Sequence, residues 1–143
     1  ERPMASIVDR PSAAVRGLAL GGRFVLVLAC ALAAGGAWFA GDPSARLAAD
    51  AETATLLRSM ALLKATFFLP AFAAVWWRFG RPTGPGYRLA YTAVVAVMAG
   101  AAMLVWQLSF LGLTSLAFHA ALISLLVLAW RDDGIAKGPL GRR

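Results

Sequence analysis

The chain has 143 residues, of which 60% are hydrophobic and 15% charged, and its mean hydropathy is +0.70. Soluble domains are about 45–50% apolar and about 25% charged, so the composition excludes a disordered chain and an ordinary soluble enzyme core. The formal net charge of +7 does not indicate a nucleic-acid partner, because the basic residues flank apolar runs instead of forming one patch. These features predict an all-α membrane protein with one domain over residues 1–143.

Four apolar runs define the predicted transmembrane helices, at about residues 18–40, 60–77, 89–111 and 113–130. A helix that crosses the hydrocarbon core needs about 20 apolar residues, within a range of about 17–25. The polar segment before the first run, with Arg10 and Arg16, is similar to the basic region of a signal peptide. Three further runs follow, so we expect the first run to be a retained membrane helix. Residues 1–3 precede the first methionine, Met4, and are not used to predict the helices.

The segment between the first two runs is expected to be helical and to lie outside the membrane, over about residues 43–58. Asp42 and Pro43 have the pattern of a helix N-cap followed by proline at the first helical position. Residues 45–63 contain no Gly or Pro and are rich in helix formers. Either the second helix begins near Pro43 and extends outward, or a short interfacial helix bends near Ser59. Pro70, inside the second run, predicts a kink.

A tight turn is expected between the third and fourth runs, at residues 109–115, where Gly112 and several polar residues stand. The alternative, a single apolar helix through both runs, would be too long for a bilayer. The 78–88 connector is rich in Gly and Pro and is expected to be irregular.

Orientation follows from the lysines and arginines that flank the runs. Four lie in the segment that ends at Arg23, three in the 78–88 connector and four in the C-terminal tail, which makes eleven. The 41–59 segment contains two, Arg46 and Arg58, and the 109–115 turn contains none. Since basic residues accumulate on the cytoplasmic side, we predict that both termini are cytoplasmic, and we expect a bacterial inner membrane.

Two ionisable residues, Lys64 and His119, stand inside the apolar runs. Lys64 is 14 residues before Arg78, and His119 is 12 before Arg131, which places them roughly 21 and 18 Å from the cytoplasmic boundary. A charge left in the hydrocarbon costs about 2.5–3.5 kcal/mol on insertion scales.

Two interpretations of this pair are open. Lys64 either reaches the outer interface along its own stem or finds an acceptor, with Gln107 as a candidate near the same end. His119 either hydrogen-bonds to a neighbour, such as Ser115 or Thr66, or shares a polar outer cavity with Lys64. Lys64, His119 and Gln107 are therefore the candidate ligand- or lipid-binding residues, and an anionic lipid headgroup or a quinone-like ring would suit the cavity.

We expect no catalytic residue, no metal site and no cofactor of the chain's own. The apolar runs contain no Asp or Glu, and the single histidine excludes bis-histidine haem ligation by this chain alone. A membrane-embedded carboxylate is what the small four-helix proton-coupled drug exporters depend on, so this chain is comparable to them in size only. Haem or pigment ligation by His119 with a partner's help is the alternative.

Small residues recur on the first and third predicted helices. Ala31 and Gly35, and likewise Ala96 and Gly100, follow the small-xxx-small pattern that lets helices approach closely. These four residues are the candidate packing positions, either for the two helices against each other or for a partner.

The leading functional hypothesis is an accessory subunit of a larger integral-membrane complex, which would assemble, stabilise or anchor a catalytic, electron-transfer or transport partner. Its expected partners are other integral-membrane subunits and membrane lipids. The alternative is a small oligomeric transporter or flippase for an anionic or lipid-linked substrate. The chain is not expected to be an enzyme by itself.

Overall fold

The computed structural model describes residues 13–132, which form helices and contain no strand. In chain order the helices are α1 (Ala13–Ala40), α2 (Pro43–Ala48), α3 (Ala51–Arg78), α4 (Pro85–Trp106) and α5 (Leu111–Arg131). All except α2 are long and apolar enough to cross a membrane. The prediction of an all-α chain with four such helices is confirmed for this part of the chain and is consistent with an integral membrane protein. The basic residues before position 13 and after position 132 lie outside the described residues, and the orientation stays a prediction.

Helix α4 is the centre of the bundle and packs against α1, α3 and α5. Tyr91, Val95, Met98 and Ala101 of α4 are buried in a core that all four long helices share. The neighbours contribute Leu26 and Cys30 from α1, Ala71 and Val75 from α3, and Phe118, Ala121 and Leu125 from α5. Many other large apolar side chains are exposed, as expected for helices that lipid surrounds.

The predicted outer helix is divided in two. Helix α2 ends at Ala48, Ala49 has an extended backbone, and α3 begins at Ala51 as a new helix that continues without interruption through Ser59 and Pro70. The division arises because Asp50 is itself an N-cap: its carboxylate accepts the Thr53 backbone N–H at 2.8 Å and the Thr53 hydroxyl at 2.9 Å.

The first cap is the predicted one. Asp42 Oδ1 accepts from the backbone nitrogen and the hydroxyl of Ser44, at 2.8 and 2.7 Å, and Pro43 follows it at the first helical position.

The turn between the last two helices comes earlier in the chain than predicted, at residues 107–110, and Gly112 lies inside α5. Helix α4 ends in a Schellman motif, in which Ser109 N–H donates to the Leu104 carbonyl and Leu108 N–H to the Val105 carbonyl, both at 3.0 Å. Leu108 occupies the left-handed position, with φ of 58°, where glycine is usual. Its side chain is buried, and the apolar burial offsets a backbone cost of about 1–2 kcal/mol.

Candidate functional site

Lys64 turns toward α5. Its ammonium donates a hydrogen bond to Ser115 Oγ at 3.3 Å and lies 5.0 Å from the centre of the Phe118 ring. Both contacts hold the positive charge beside α5. A lysine whose ammonium reached the outer interface would make neither contact. Between the two interpretations of Lys64, the structure shows the one in which the ammonium finds an acceptor, and that acceptor is a hydroxyl.

His119 lies on the same face of α5, since Ser115, Phe118, His119 and Leu122 recur at helical spacing. His119 Nδ1 is 2.7 Å from the Ser115 carbonyl oxygen. A carbonyl oxygen can only accept, so we assign the proton to Nδ1, which leaves Nε2 as an acceptor in the neutral ring. The expected neighbour Ser115 is thus a partner through its backbone, whereas the Thr66 hydroxyl bonds within its own helix, to the Leu63 carbonyl.

Lys64 and His119 line one cavity of about 440 Å³ between α3 and α5. Its wall is otherwise mainly apolar: Leu57, Met60, Leu63, Phe67, Val105, Leu111, Phe118 and Leu122 join the pair and Ser115. The two residues therefore share one cavity, although its wall is mainly apolar where a polar cavity was expected. Its position on the outer side of the membrane stays a prediction. What, if anything, the cavity binds stays a prediction.

Gln107, the third candidate, is not part of this cavity. It is buried at the α4–α5 turn against Gly41, where a side-chain carbon added at Gly41 would lie 3.1 Å from Gln107 Cβ. Nearby, the Asp42 backbone N–H donates to Ser109 Oγ at 2.8 Å. Within residues 13–132, Gln107 Nε2 is buried with no hydrogen-bond partner. These contacts attach the end of α1 to the α4–α5 turn, which is a structural role.

The small-residue candidates separate into two groups. Gly100 of α4 packs directly on α1, because a side-chain carbon there would lie 3.3 Å from the Ala33 carbonyl oxygen. Gly35 has open space at that position. Ala31 lines a groove between α1 and α3, and Ala96 is half-buried on α4. In the α1–α4 contact, the predicted position Gly100 thus packs against Ala33, which lies between the predicted positions Ala31 and Gly35 on α1.

The α1–α3 groove is an apolar cleft with a volume of about 590 Å³. Small residues form much of its wall: Ala31 and Ala34 of α1, Ala61 and Ala65 of α3, and Ala99 and Ala102 of α4. Trp38, Phe68, Leu69, Phe72 and Trp106 are among the large side chains at its sides. Helix α3 packs mainly against α4 and leaves a concave surface toward α1.

A buried ion pair joins the end of α3 to the residue after α5, at the end of the α3–α5 seam away from Lys64 and His119. The sequence did not predict this pair. Arg78 binds Asp132 through two nearly parallel hydrogen bonds, Nε to Oδ2 at 2.7 Å and Nη2 to Oδ1 at 2.9 Å. The Tyr91 hydroxyl donates to the same carboxylate at 3.2 Å, and Arg78 also donates to Thr83 Oγ1 at 2.9 Å. The signals available in the sequence were Asp132, an acidic residue two positions after the last apolar run, and the arginines of the 78–88 connector.

The described residues offer no group of three or more His, Cys, Asp or Glu side chains placed to hold a metal ion. The polar side chains that line the α3–α5 cavity, those of Lys64, Ser115 and His119, are suited to bind an anionic oxygen, because an ammonium, a hydroxyl and an imidazole N–H can each donate to it.

No protein-family model matches the chain, and no curated protein or solved structure matches it either. Its function must therefore be inferred from its own residues.

Proposed function

We propose that this protein is an accessory subunit of a larger integral-membrane complex in a bacterial inner membrane, and that a transmembrane helix of its partner occupies the α1–α3 groove. The observation that supports the proposal is the groove itself, a concave apolar cleft whose wall contains six alanines from three helices. Exposed leucines alone indicate only lipid contact, whereas small residues in a cleft let a second backbone approach closely. The cavity that Lys64 and His119 line in the α3–α5 seam is not needed for this function.

Site-specific photo-crosslinking in native membranes tests the proposal. A photoreactive amino acid replaces Leu69, which lines the groove and is 63% exposed, or Ile123, which is 62% exposed on α5 outside the cavities described above. We expect Leu69 to give one discrete adduct with another integral-membrane protein and Ile123 to react with lipid. An adduct between two copies of this chain, or equal adducts at both positions, would contradict the accessory role.

A second candidate function is a small oligomeric transporter or flippase for an anionic or lipid-linked substrate. The observation in its favour is that Lys64 and His119 line one cavity between α3 and α5. In vesicles that contain the purified protein, a fluorescent anionic lipid should then change leaflet faster than a zwitterionic one. The Lys64→Gln variant should remove that difference, and an equal rate for both lipids in the wild type would exclude this function.

A further inference from the structure

The Lys64 ammonium has no carboxylate partner in the part of the chain that the structure describes. Its only polar contact there is a hydroxyl, Ser115 Oγ, and Phe118 covers it on another side. Two acidic residues, Asp42 and Asp50, cap their own helices, and Asp132 binds Arg78 at the other end of the seam. An ammonium in an apolar cleft with no anion nearby is complementary to an anion supplied from outside the chain.

A further, mainly apolar cavity lies beside this position. This second cavity, of about 280 Å³, lies between the same two helices and shares Phe67 and Leu122 with the first. Arg78 and Tyr91 stand at the far end of this second cavity, where both bind Asp132. The rest of its wall is apolar and also includes Pro70, Ala71, Ala74, Val75, Leu125, Leu126 and Ala129. The seam thus contains two adjacent compartments, one with the Lys64 cation in its wall and one that is mainly apolar.

We infer that the α3–α5 seam binds an amphiphile that has an anionic oxygen headgroup and an acyl chain. Lys64 and the Ser115 hydroxyl donate to the anionic oxygen, and the chain lies along the seam between Phe67 and Leu126. A phosphodiester lipid and a fatty-acid carboxylate share this chemistry.

The inference names the ligand of the second candidate function but does not require transport. Binding without faster leaflet exchange would remove the transporter and leave the site. The accessory role concerns the α1–α3 groove, so the outcome of this test does not bear on it.

Native mass spectrometry of the full, delipidated chain in detergent measures this binding directly. Phosphatidylglycerol, oleate and phosphatidylcholine are titrated against the wild type, Lys64→Gln and Arg58→Gln. Arg58 is the matched control, because it is a cation on the same helix whose guanidinium lies over the Trp106 ring at 5.8 Å, away from the cavity wall. The thermal unfolding midpoint of each variant, measured without lipid, reports its folding.

We expect the wild type to prefer at least one anionic amphiphile over phosphatidylcholine, and Lys64→Gln to weaken that binding about tenfold or more. Arg58→Gln should stay within about twofold of the wild type. Preference for phosphatidylglycerol alone assigns a phosphodiester, and preference for oleate alone assigns a carboxylate. No preference for either anion, or an equal loss in the Lys64 and Arg58 variants, would overturn the inference.

A second variant tests the apolar compartment and keeps the inference falsifiable if Lys64→Gln does not fold. Ala74 lines that compartment and is exposed within it, so Ala74→Phe should fill the acyl path and weaken binding of the preferred amphiphile severalfold. Unchanged binding in a folded Ala74→Phe protein would exclude an acyl chain from the seam.

Discussion

The Arg78–Asp132 ion pair is the interaction at the scale of single residues that should matter most for stability. Both side chains are 5% exposed and form two hydrogen bonds with each other. Arg78→Leu would remove the guanidinium that forms two hydrogen bonds with the buried Asp132 carboxylate, and breaking a buried pair in this way costs about 3–5 kcal/mol. We expect a clearly lower unfolding midpoint in detergent for Arg78→Leu.

Two comparisons identify the cause of that loss. The double variant Arg78→Leu/Asp132→Leu removes both charges and should recover part of the stability, because apolar pairs often replace buried ion pairs without net cost. The control Arg81→Leu removes a half-exposed guanidinium that lies 3.5 Å from the centre of the Trp77 ring, and it should cost about 1 kcal/mol or less. If Arg78→Leu costs no more than Arg81→Leu, the ion pair does not hold this end of the bundle.

The start of α3 should respond to acid. The Thr53 backbone N–H, followed by the Thr53 hydroxyl, donates to the Asp50 carboxylate and holds its pKa below the ordinary value of 3.8. Because the folded-state pKa is lowered, the cap contributes stability above the ordinary pKa and loses it as pH falls through the folded-state pKa.

Amide hydrogen exchange at Thr53 would detect this loss. We expect protection at Thr53 to decrease between about pH 5 and about pH 2, after correction for the intrinsic exchange rate. Asp50→Asn keeps an acceptor at the cap but does not titrate in this range, so its protection should be independent of pH. An equal acid response in Asp50→Asn would mean that another group controls the end of the helix.

At the scale of elements, the contact between α1 and α4 depends on a glycine at one position and tolerates a larger residue at another. Gly100→Ala would place a methyl group 3.3 Å from the Ala33 carbonyl oxygen, which belongs to a helix backbone and cannot turn away. Overpacking of this kind costs about 1–3 kcal/mol. Gly35→Ala meets nothing within 4 Å and should gain about 0.5–1 kcal/mol from helix propensity.

Thermal unfolding in one detergent should therefore rank Gly35→Ala at or above the wild type and Gly100→Ala below it. The two substitutions are chemically identical and both positions are inside long helices, so propensity alone predicts equal effects. The reverse order would show that α1 and α4 separate easily at Gly100.

The sequence predicted which elements exist better than where they end. Four apolar runs gave four long helices because run length and the thickness of the hydrocarbon core constrain each other. The α4–α5 turn was predicted a few residues too late in the chain, because glycine is the usual turn residue and Gly112 is the nearest one. In the structure Leu108 takes the left-handed position, and the burial of its side chain offsets the backbone cost. Asp50 was counted as a charge of an outer helix, although a carboxylate three residues before Thr53 is also a cap.

The candidate site was predicted in the same uneven way. Lys64 and His119 could be paired from their depths alone, since both are ionisable residues at similar distances from basic boundaries. Their orientation, the Ser115 contact and the exclusion of Gln107 depend on how α3 and α5 rotate about their axes. Rotation is set by packing among side chains distant in sequence, which periodicity in weakly amphipathic helices does not specify.

At the scale of the whole molecule, the parts of the helices that carry most of the described arginines lie at the same end of the bundle. The Arg23 side chain, in the first half of α1, donates to the Trp76 carbonyl near the end of α3, and the Tyr87 hydroxyl, near the start of α4, donates to the Arg131 carbonyl at the end of α5. The Arg78–Asp132 ion pair joins the ends of α3 and α5 there. Asp42 and Ser109 meet at the opposite end. The described residues thus place most of their arginines at one end of the bundle.

The last prediction is that this arginine-rich end faces the cytoplasm. The basis is the sequence count: eleven basic residues flank the runs in the N-terminal segment, the 78–88 connector and the C-terminal tail, against two in the 41–59 segment. In a Cys30→Ala background, S44C and G84C place single thiols at two exposed positions, in the first turn of α2 and at the N-cap of α4. A membrane-impermeant maleimide added to intact cells should label S44C and should label G84C only after the membrane is opened. Labelling of both variants from outside would contradict four crossings, and labelling of G84C alone would reverse the orientation and place the Lys64 cavity in the cytoplasmic half of the membrane.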